Sequence, residues 1–383
     1  MAIKRVKPSK KKTVRARPKR LPYSVNPANQ STSFQRGYED GYLRGRANFM
    51  MNRAVEPFPV SPVHVLYISS GKGFPYSPLD EAIRGTLQDL VTTLHVAEPH
   101  EPIAEMAALL KPDLVLALDG MYFPVEQVDA IRNQGIRTAV WLTDDPYYTD
   151  ITLNIAPRYD YVFTLELNCI ELYESHGCPE VHYLPFAAYL PQFHPNTLPT
   201  IHRRDVSFIG SGYWNRVNYF NPLLPRMMSH QTVFNGIWWD RLPDFEKYKR
   251  KIELNRWMSP EETKDVYNGT KIVLNLHRSH EDDSVNNNSL KIPALSPNPR
   301  TFEISACATL QLTDARGDLA RFYTPGVEIE TYETAAEMMD KIEYYLANED
   351  KRREIALRGF ERTWKEHSYH HRIHSLLQTI FGS

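Results

Sequence analysis

Two hydrophobic periods alternate along most of this chain. From Val63 onward, short apolar runs end in small or acidic residues: HVLYISS (64–70), DLVLALD (113–119), RTAVWLTD (137–144), DYVFT (160–164) and VHYLPFA (181–187). Between them, apolar residues recur every three or four positions, as in Leu79–Thr92 and in LNCIELYESHG, where Gly177 reads as a helix stop. Five β-rich runs separated by helices predict a parallel sheet covered on both faces. Tyr189–Arg204 has three prolines and no strong period, which predicts a linker. The cadence then restarts with DVSFIGSG (205–212), TVFNG (232–236), KIVLNLH (271–277), TLQLTD (309–314) and VEIETY (327–332), a second sheet. Helices are expected at Asn215–Met228, Arg300–Ala308, Ala335–Ala347, Asp350–Trp364 and Tyr369–Phe381. DDSVNNNSLKIPALSPN (282–298) lacks any period and reads as a long mobile loop that orders on ligand binding.

Upstream, FQRGYEDGYLRGRANF (34–49) sets glycines and aromatics at spacings of three and four. That pattern predicts a docking helix whose glycines permit close approach to a neighbour. The expected division is a basic disordered arm (1–33), a lead-in helix and linker (34–60), a first sheet domain (61–190), a linker (191–204), a second sheet domain (205–365) and a closing helix (366–383). Lys plus Arg number 45 and Asp plus Glu 46, yet positions 1–20 hold ten basic residues and no acid. The other 363 residues carry 35 basic against 46 acidic groups, so an acidic body bears a basic arm. Nucleic-acid binding through overall charge is not expected; the arm is a solvated tail or a tether to an anionic surface. No stretch reaches the ~18 apolar residues of a membrane span. The first 20 residues are charged where a signal peptide needs an apolar core. Cys169, Cys178 and Cys307 are odd in number without CxxC spacing, which argues against a disulfide scaffold or zinc knuckle and fits a reduced compartment.

Ligands of open α/β sheets bind beyond the carboxyl ends of the strands, so two facing sheets imply an interdomain cleft. Gly210, Ser211 and Gly212 follow a strand with Arg216 soon after, an arrangement suited to phosphate or simply to a turn. Asn275, His277 and Arg278 close another strand, and Asn298, Arg300 and Glu303 gather in SPNPRTFEI. A glutamate one turn into a helix compensates the dipole, or accepts hydrogen bonds from the vicinal hydroxyls of a ribose. With Arg278 and Arg300 for pyrophosphate, the set describes a nucleotide-diphosphate site. Asp144 and Asp145 end a strand of the first sheet, where one serves as general base for an acceptor hydroxyl or caps the next helix. Neighbouring strand residues point to opposite faces, which argues against both holding one metal ion. Asp119 and the loop Ser70-Gly71-Lys72-Gly73 are further acceptor-side candidates; GxxxxGK[ST] is absent there. His367, His370, His371 and His374 would line one helical face. No nearby Cys or acid completes a metal set, so packing of the closing helix is the reading taken.

The segments NPRTFEISACATLQLTD, LARFYTPGVEIETYETAAEMMDKIEYYLANEDKRREIALRGFERTWKEHSYHHR and VYNGTKIVLNLHR resemble the C-terminal domain of CgeB/YkvP-type spore maturation proteins. PDLVLALDG, IRTAVWLTDDPYY and YDYVFTLELNCIELYESHG are similar to the N-terminal domain paired with it, and FQRGYEDGYLRGR to the lead-in. The resemblance spans about residues 34–380. It implies two facing Rossmann-like domains (the GT-B fold) with a C-terminal helix returning to the first. It further implies a glycosyltransferase that moves a sugar from a nucleoside-diphosphate-sugar to a spore-surface glycan or glycoprotein, in the mother-cell cytoplasm or at the spore surface. The nucleotide-sugar is a co-substrate; no cofactor or metal is implied, because arginines and helix N-termini can neutralise the leaving diphosphate. By motif, Glu303 matches the ribose glutamate, while Asn298 and Arg300 approach the diphosphate or sugar. Gly210, Ser211 and Arg216 match the first strand-turn-helix of the donor domain. Trp238 and Trp239 lie where a nucleobase element falls, or form a core pair. Leu295 stands where retaining members place a second acid, and Ala308 where a glycine is usual. Both departures lend weight to the alternative, a non-catalytic spore-coat assembly protein.

Overall fold

Six parallel strands form the first sheet of the computed structural model, which describes residues 27–52 and 57–382. They are β1 (Ser61–Ile68), β2 (Val91–Ala97), β3 (Leu114–Leu118), β4 (Arg137–Trp141), β5 (Tyr161–Thr164) and β6 (Glu180–Tyr183), in the order β2-β1-β3-β4-β5-β6. β3 is buried along its whole length, as a central strand covered on both faces requires. The covering helices are α2 (Ser77–Leu90), α3 (Ile103–Leu110), α4 (Val125–Arg132), α5 (Thr149–Ile155) and α6 (Ile170–Ser175). β2 corrects the sequence reading, which ran one helix through Thr92. It follows α2 without a loop, and only the β-branched run Val-Thr-Thr marks the change of period.

The second sheet is also six-stranded and parallel. It comprises β7 (Arg204–Ile209), β8 (Thr232–Gly236), β9 (Ile252–Leu254), β10 (Thr270–Asn275), β11 (Leu310–Asp314) and β12 (Glu330–Tyr332), in the order β12-β11-β10-β7-β8-β9. The helix expected over Asn215–Met228 is broken into α7 (Trp214–Phe220) and α8 (Leu224–Met227) by a tight turn at Asn221–Leu223. Pro222 and Pro225 lack the N–H that a continuous helix would use. α9 (Phe245–Tyr248), β9 and α10 (Pro260–Gly269) escaped the pattern reading; α10 opens with a capping box between Ser259 and Glu262. α11 (Pro299–Ala306), α12 (Ala335–Ala347) and α13 (Glu349–Glu366) complete this half.

α14 (Tyr369–Phe381) returns to the first sheet, as the resemblance implied. Its Tyr369, Ile373, Leu376, Leu377 and Ile380 are buried in one cluster with Val65, Leu87, Leu116 and Trp141. α1 (Pro27–Met51) begins earlier than the Phe34 read from sequence, and the arm's residues 1–26 lie outside the described residues. Ala47, with Met50 and Met51, packs against Ala308, Leu357 and Phe360. An added Cβ at Gly45 would meet nothing within 4 Å, so the close approach is made by Ala47 and not by that glycine.

Both sheets change strand order once, between β1 and β3 and between β7 and β10. Ligand crevices open at such switch points. The residues just past β1, β3, β4, β7 and β10 therefore define where chemistry is sought.

Candidate functional site

A cavity of about 270 Å3 lies between the two sets of strand ends, with Asp144 and Tyr147 on one side and Gly210, Tyr213, Arg216, His277, Arg278 and Arg300 on the other. Two glycines let the donor side close up. A Cβ on Gly210 would stand 2.4 Å from Arg300 Nη1, and one on Gly236 would stand 2.2 Å from the Gly210 carbonyl oxygen. Neither position tolerates a side chain without displacing a guanidinium or backbone.

Arg216 is buried. Its Nε donates to Leu276 O (2.9 Å) and its Nη1 to Ser211 O (2.9 Å). Burial, then the neighbouring charge of Arg300, lowers its pKa to about 9. Arg300 Nη1 donates to Ile209 O at 2.6 Å. The Arg278 guanidinium donates to Val285 O and stands 4.6 Å from the Tyr147 ring and 5.1 Å from that of Tyr213. Among the described residues no carboxylate forms an ion pair with any of the three. Like charges gathered in a partly dry cleft repel one another and attract an anion. Arg316, two residues past β11, stands behind them with Nη1 3.6 Å from Asp314 Oδ2.

Asn275, His277 and Asn298 are tied to one another and to α11 through their side chains. Asn298 caps α11, accepting from Thr301 N (3.2 Å), and exchanges amide hydrogen bonds with Asn275 at 3.1 and 2.8 Å. His277 Nε2 accepts from the Asn298 N–H (2.9 Å), so Nδ1 carries the proton facing Asp314 Oδ1 at 2.5 Å. Burial lowers His277 to about 4, leaving it neutral at ordinary pH. These three side chains align the start of α11; His277 and Asn298 also line the cavity, whereas Asn275 lies behind it. Ser211 contributes its carbonyl to Arg216 and lines the cavity.

Glu303, one turn beyond Arg300, is partly buried and makes no hydrogen bond or ion pair among the described residues. Burial pushes its carboxyl up to about 7 against the pull of Arg300. The cavity wall stops at Arg300, so Glu303 lies beside the cavity. Trp239 is fully buried, packs with Phe208, Phe220 and Phe234, and donates Nε1–H to Gly210 O (2.9 Å), a core residue. Trp238 instead stands beside Tyr213 and Arg241. Ala308 adopts φ +53, the left-handed backbone that glycine favours, at the position where the resemblance implies a glycine.

On the acceptor side the two aspartates diverge as strand geometry requires. Asp144 Oδ2 accepts from Tyr76 OH (2.9 Å) and Thr143 OH (3.1 Å), with Lys72 Nζ at 3.6 Å. Asp145 is buried the other way, accepting from Tyr173 OH (2.8 Å) and Thr164 OH (2.6 Å); burial raises it to about 7. Both of its oxygens are engaged by these hydroxyls, while the residue still borders the cavity. Lys72 also donates to Asp119 (2.8 Å), which is buried at φ +69 and has its pKa raised by burial against the effect of Lys72. Ser70 is likewise corrected from cleft wall to anchor: its Oγ and N–H both bond Asp80 (2.7 and 2.8 Å). Gly71 turns the loop at φ +67 beside Pro99.

The 282–298 segment is docked, contrary to the mobile loop expected. Asn287 pairs with Tyr147 and Asp150 through backbone hydrogen bonds, and Ser289 binds the Asp150 carboxylate. Leu295 and Ser296 N–H groups donate to Glu166 Oε2 at 2.9 and 3.0 Å. Glu166, Arg316, Tyr147, Tyr213 and Trp257 were not anticipated. Arg316 carried a signal, a cation just past a strand end; the others depend on tertiary contacts. The histidines make structural contacts: His367 meets Phe322 O, His371 caps α14 with Ser368, His371 and His374 lie against Phe58, and His370 pairs with Asp89 at 3.1 Å, an acid not anticipated beside them. Among the described residues no group of three or more His, Cys, Asp or Glu is placed to hold a metal, and no helix is long and apolar enough to cross a membrane.

Two parallel sheets opposed across an arginine-lined cleft define the GT-B architecture, and comparison with solved structures agrees. The glycosyltransferase from Rickettsia africae superposes with a TM-score of 0.59 at 11% identity, covering 84% of this chain and all of that one. Anabaena Alr3699/HepE in complex with UDP-glucose gives 0.58 at 10% identity (83% and 100%), and sucrose-phosphate synthase from Thermosynechococcus elongatus 0.57 at 12% (83% and 99%). Residues 204–378 match the family model described as glycosyl transferase-like. The chain is 29% identical over 301 residues to Spore protein CgeB of Bacillus subtilis, covering 78% of this chain and 93% of that protein. The resemblance to CgeB-type proteins and the two-domain fold are thus both borne out.

Proposed function

We propose that the protein is a glycosyltransferase moving a sugar from a nucleoside-diphosphate-sugar to a hydroxyl of a spore-surface glycan or glycoprotein. One observation carries this reading: Arg216, Arg278 and Arg300 meet at the switch point of the second sheet with no carboxylate ion-paired to them among the described residues, facing Asp144 across one cavity. In this reading the diphosphate lies among the three guanidiniums and Glu303 reaches the ribose hydroxyls. The acceptor oxygen bonds to the sugar's anomeric carbon as the bond to the diphosphate breaks. Asp144 takes the acceptor proton, and the arginines stabilise the charge that develops on the leaving group. Lys72 and Tyr76 hold Asp144 in place. Charge compensation by arginine makes the reaction independent of metal, so EDTA is expected to leave turnover unchanged. HepE, crystallised with UDP-glucose, supports a nucleotide-sugar donor by analogy of fold. The basic arm would hold the enzyme near an anionic surface, in the mother cell or on the spore.

A second reading rests on Leu295. Its side chain packs against Gly317 where retaining relatives of the fold place an acid, which favours a coat-assembly protein that binds nucleotide without turnover. A panel of UDP-, GDP- and dTDP-sugars separates the two. A thermal shift with release of nucleoside diphosphate is the result expected. A shift without release would favour the assembly protein, and neither signal would refute a donor site.

A further inference from the structure

Among the described residues, two large aromatic rings at the cleft belong to no hydrophobic cluster of either sheet. Trp257, in the loop after β9, lines the cavity yet is 51% exposed; Phe74, in the loop after β1, is 48% exposed. Their centroids are 6.5 Å apart and their planes nearly perpendicular, at 89°. One ring comes from each sheet domain, so the pair spans the cleft at its open side. The loop that carries Phe74 also carries Lys72 and Tyr76, both of which reach Asp144. Phe74 thus shares its loop with the two side chains that hold Asp144, and Trp257 lines the same cavity as that carboxylate. Exposed rings of this size ask for an explanation in a way that scattered surface leucines do not.

We propose that Trp257 and Phe74 form the acceptor subsite and that its occupant is a neutral pyranose ring of a glycan, a step that rests on the donor reading above. The π face of an aromatic ring is negative, and the C–H groups on one face of a pyranose are weakly positive, so the two stack while the hydroxyls stay free at the edge. A sugar seated there offers an edge hydroxyl to Asp144. The local charge selects against an anionic acceptor. Asp119 and Asp144 flank a single lysine on this side, whereas the arginines lie on the donor side. A serine or threonine side chain has no ring face to stack, so the subsite also favours a glycan over a bare polypeptide hydroxyl.

Calorimetric titration of the full chain with cellotetraose and chitotetraose tests this, alongside thermal shifts with UDP, GDP and dTDP. At least one oligosaccharide is expected to bind. Trp257→Ala should weaken it by about tenfold or more, the size of one lost aromatic contact. Phe74→Ala should act in the same direction and, because Phe74 lies outside the lining of the arginine cavity, should leave the nucleotide shift unchanged. Both rings are half-exposed, so the variants are expected to fold. Binding of neither oligosaccharide while a nucleotide still binds would overturn the subsite alone, as would equal affinity in Trp257→Ala. Absence of any nucleotide shift would count separately against the donor site.

Discussion

Asp144 and Asp145 are chain neighbours of identical chemistry, and their surroundings separate them. Removing Asp145 takes one acceptor from each of two buried hydroxyls, leaving Tyr173 the Thr152 hydroxyl and Thr164 the Glu166 carbonyl. Asp145→Ala should therefore lose about 1–3 kcal/mol in chemical denaturation, one to two net hydrogen bonds. Asp144→Ala, at a partly exposed position, should cost under about 1 kcal/mol and abolish sugar transfer. Glu303 gives a pH prediction. Its folded-state pKa of about 7 exceeds the ordinary 4.5, so the folded protein holds a proton that the unfolded chain releases in between. Stability from this group is full below about 4.5 and falls as pH rises towards and through 7. Glu303→Gln should have a higher thermal midpoint than the wild type at pH 8, with the advantage shrinking towards pH 5, while it weakens nucleotide binding. At this scale the sequence revealed the arginines, because a cation at a strand end has few structural uses. It could not reveal that Asn275, His277 and Asn298 spend their hydrogen bonds on one another, since that depends on strand ends meeting α11.

Elements were legible where the apolar period was unambiguous. The central strands of both sheets, α12, α13 and α14 follow from pattern alone. β2 was lost because α2 passes into it without a turn residue, and β9 because three residues carry no period. The 282–298 strap illustrates a different limit. Its polar, aperiodic sequence looks mobile, yet its backbone groups are satisfied by side chains over a hundred positions away, Asp150 and Glu166 above all. Glu166→Ala should free the Leu295 and Ser296 amides, and hydrogen exchange there should quicken by about tenfold or more. Unchanged protection would show that the strap is held by its other contacts. Because Pro297 and Asn298 follow directly, the same substitution should loosen α11 and weaken nucleotide binding.

The molecule closes on itself through its last helix. Five buried side chains of α14 complete the core of the first sheet, and each is worth about 1.5–3 kcal/mol when fully buried. Truncation before Tyr369 should therefore unfold the first sheet domain, seen as rapid proteolysis of residues 61–183. Survival of that domain would show that its core is complete without α14. The paired sheets, facing at their switch points, place the unpaired guanidiniums opposite the acceptor-side carboxylate, and the functional reading depends on that placement. Isothermal titration of the nucleoside diphosphate that gives the largest thermal shift, into wild type and Arg300→Leu, tests it most directly. The account predicts one site per chain, weakened about 10–100-fold by the substitution, as loss of a charge-assisted phosphate contact requires. Equal affinity in the two proteins would contradict it.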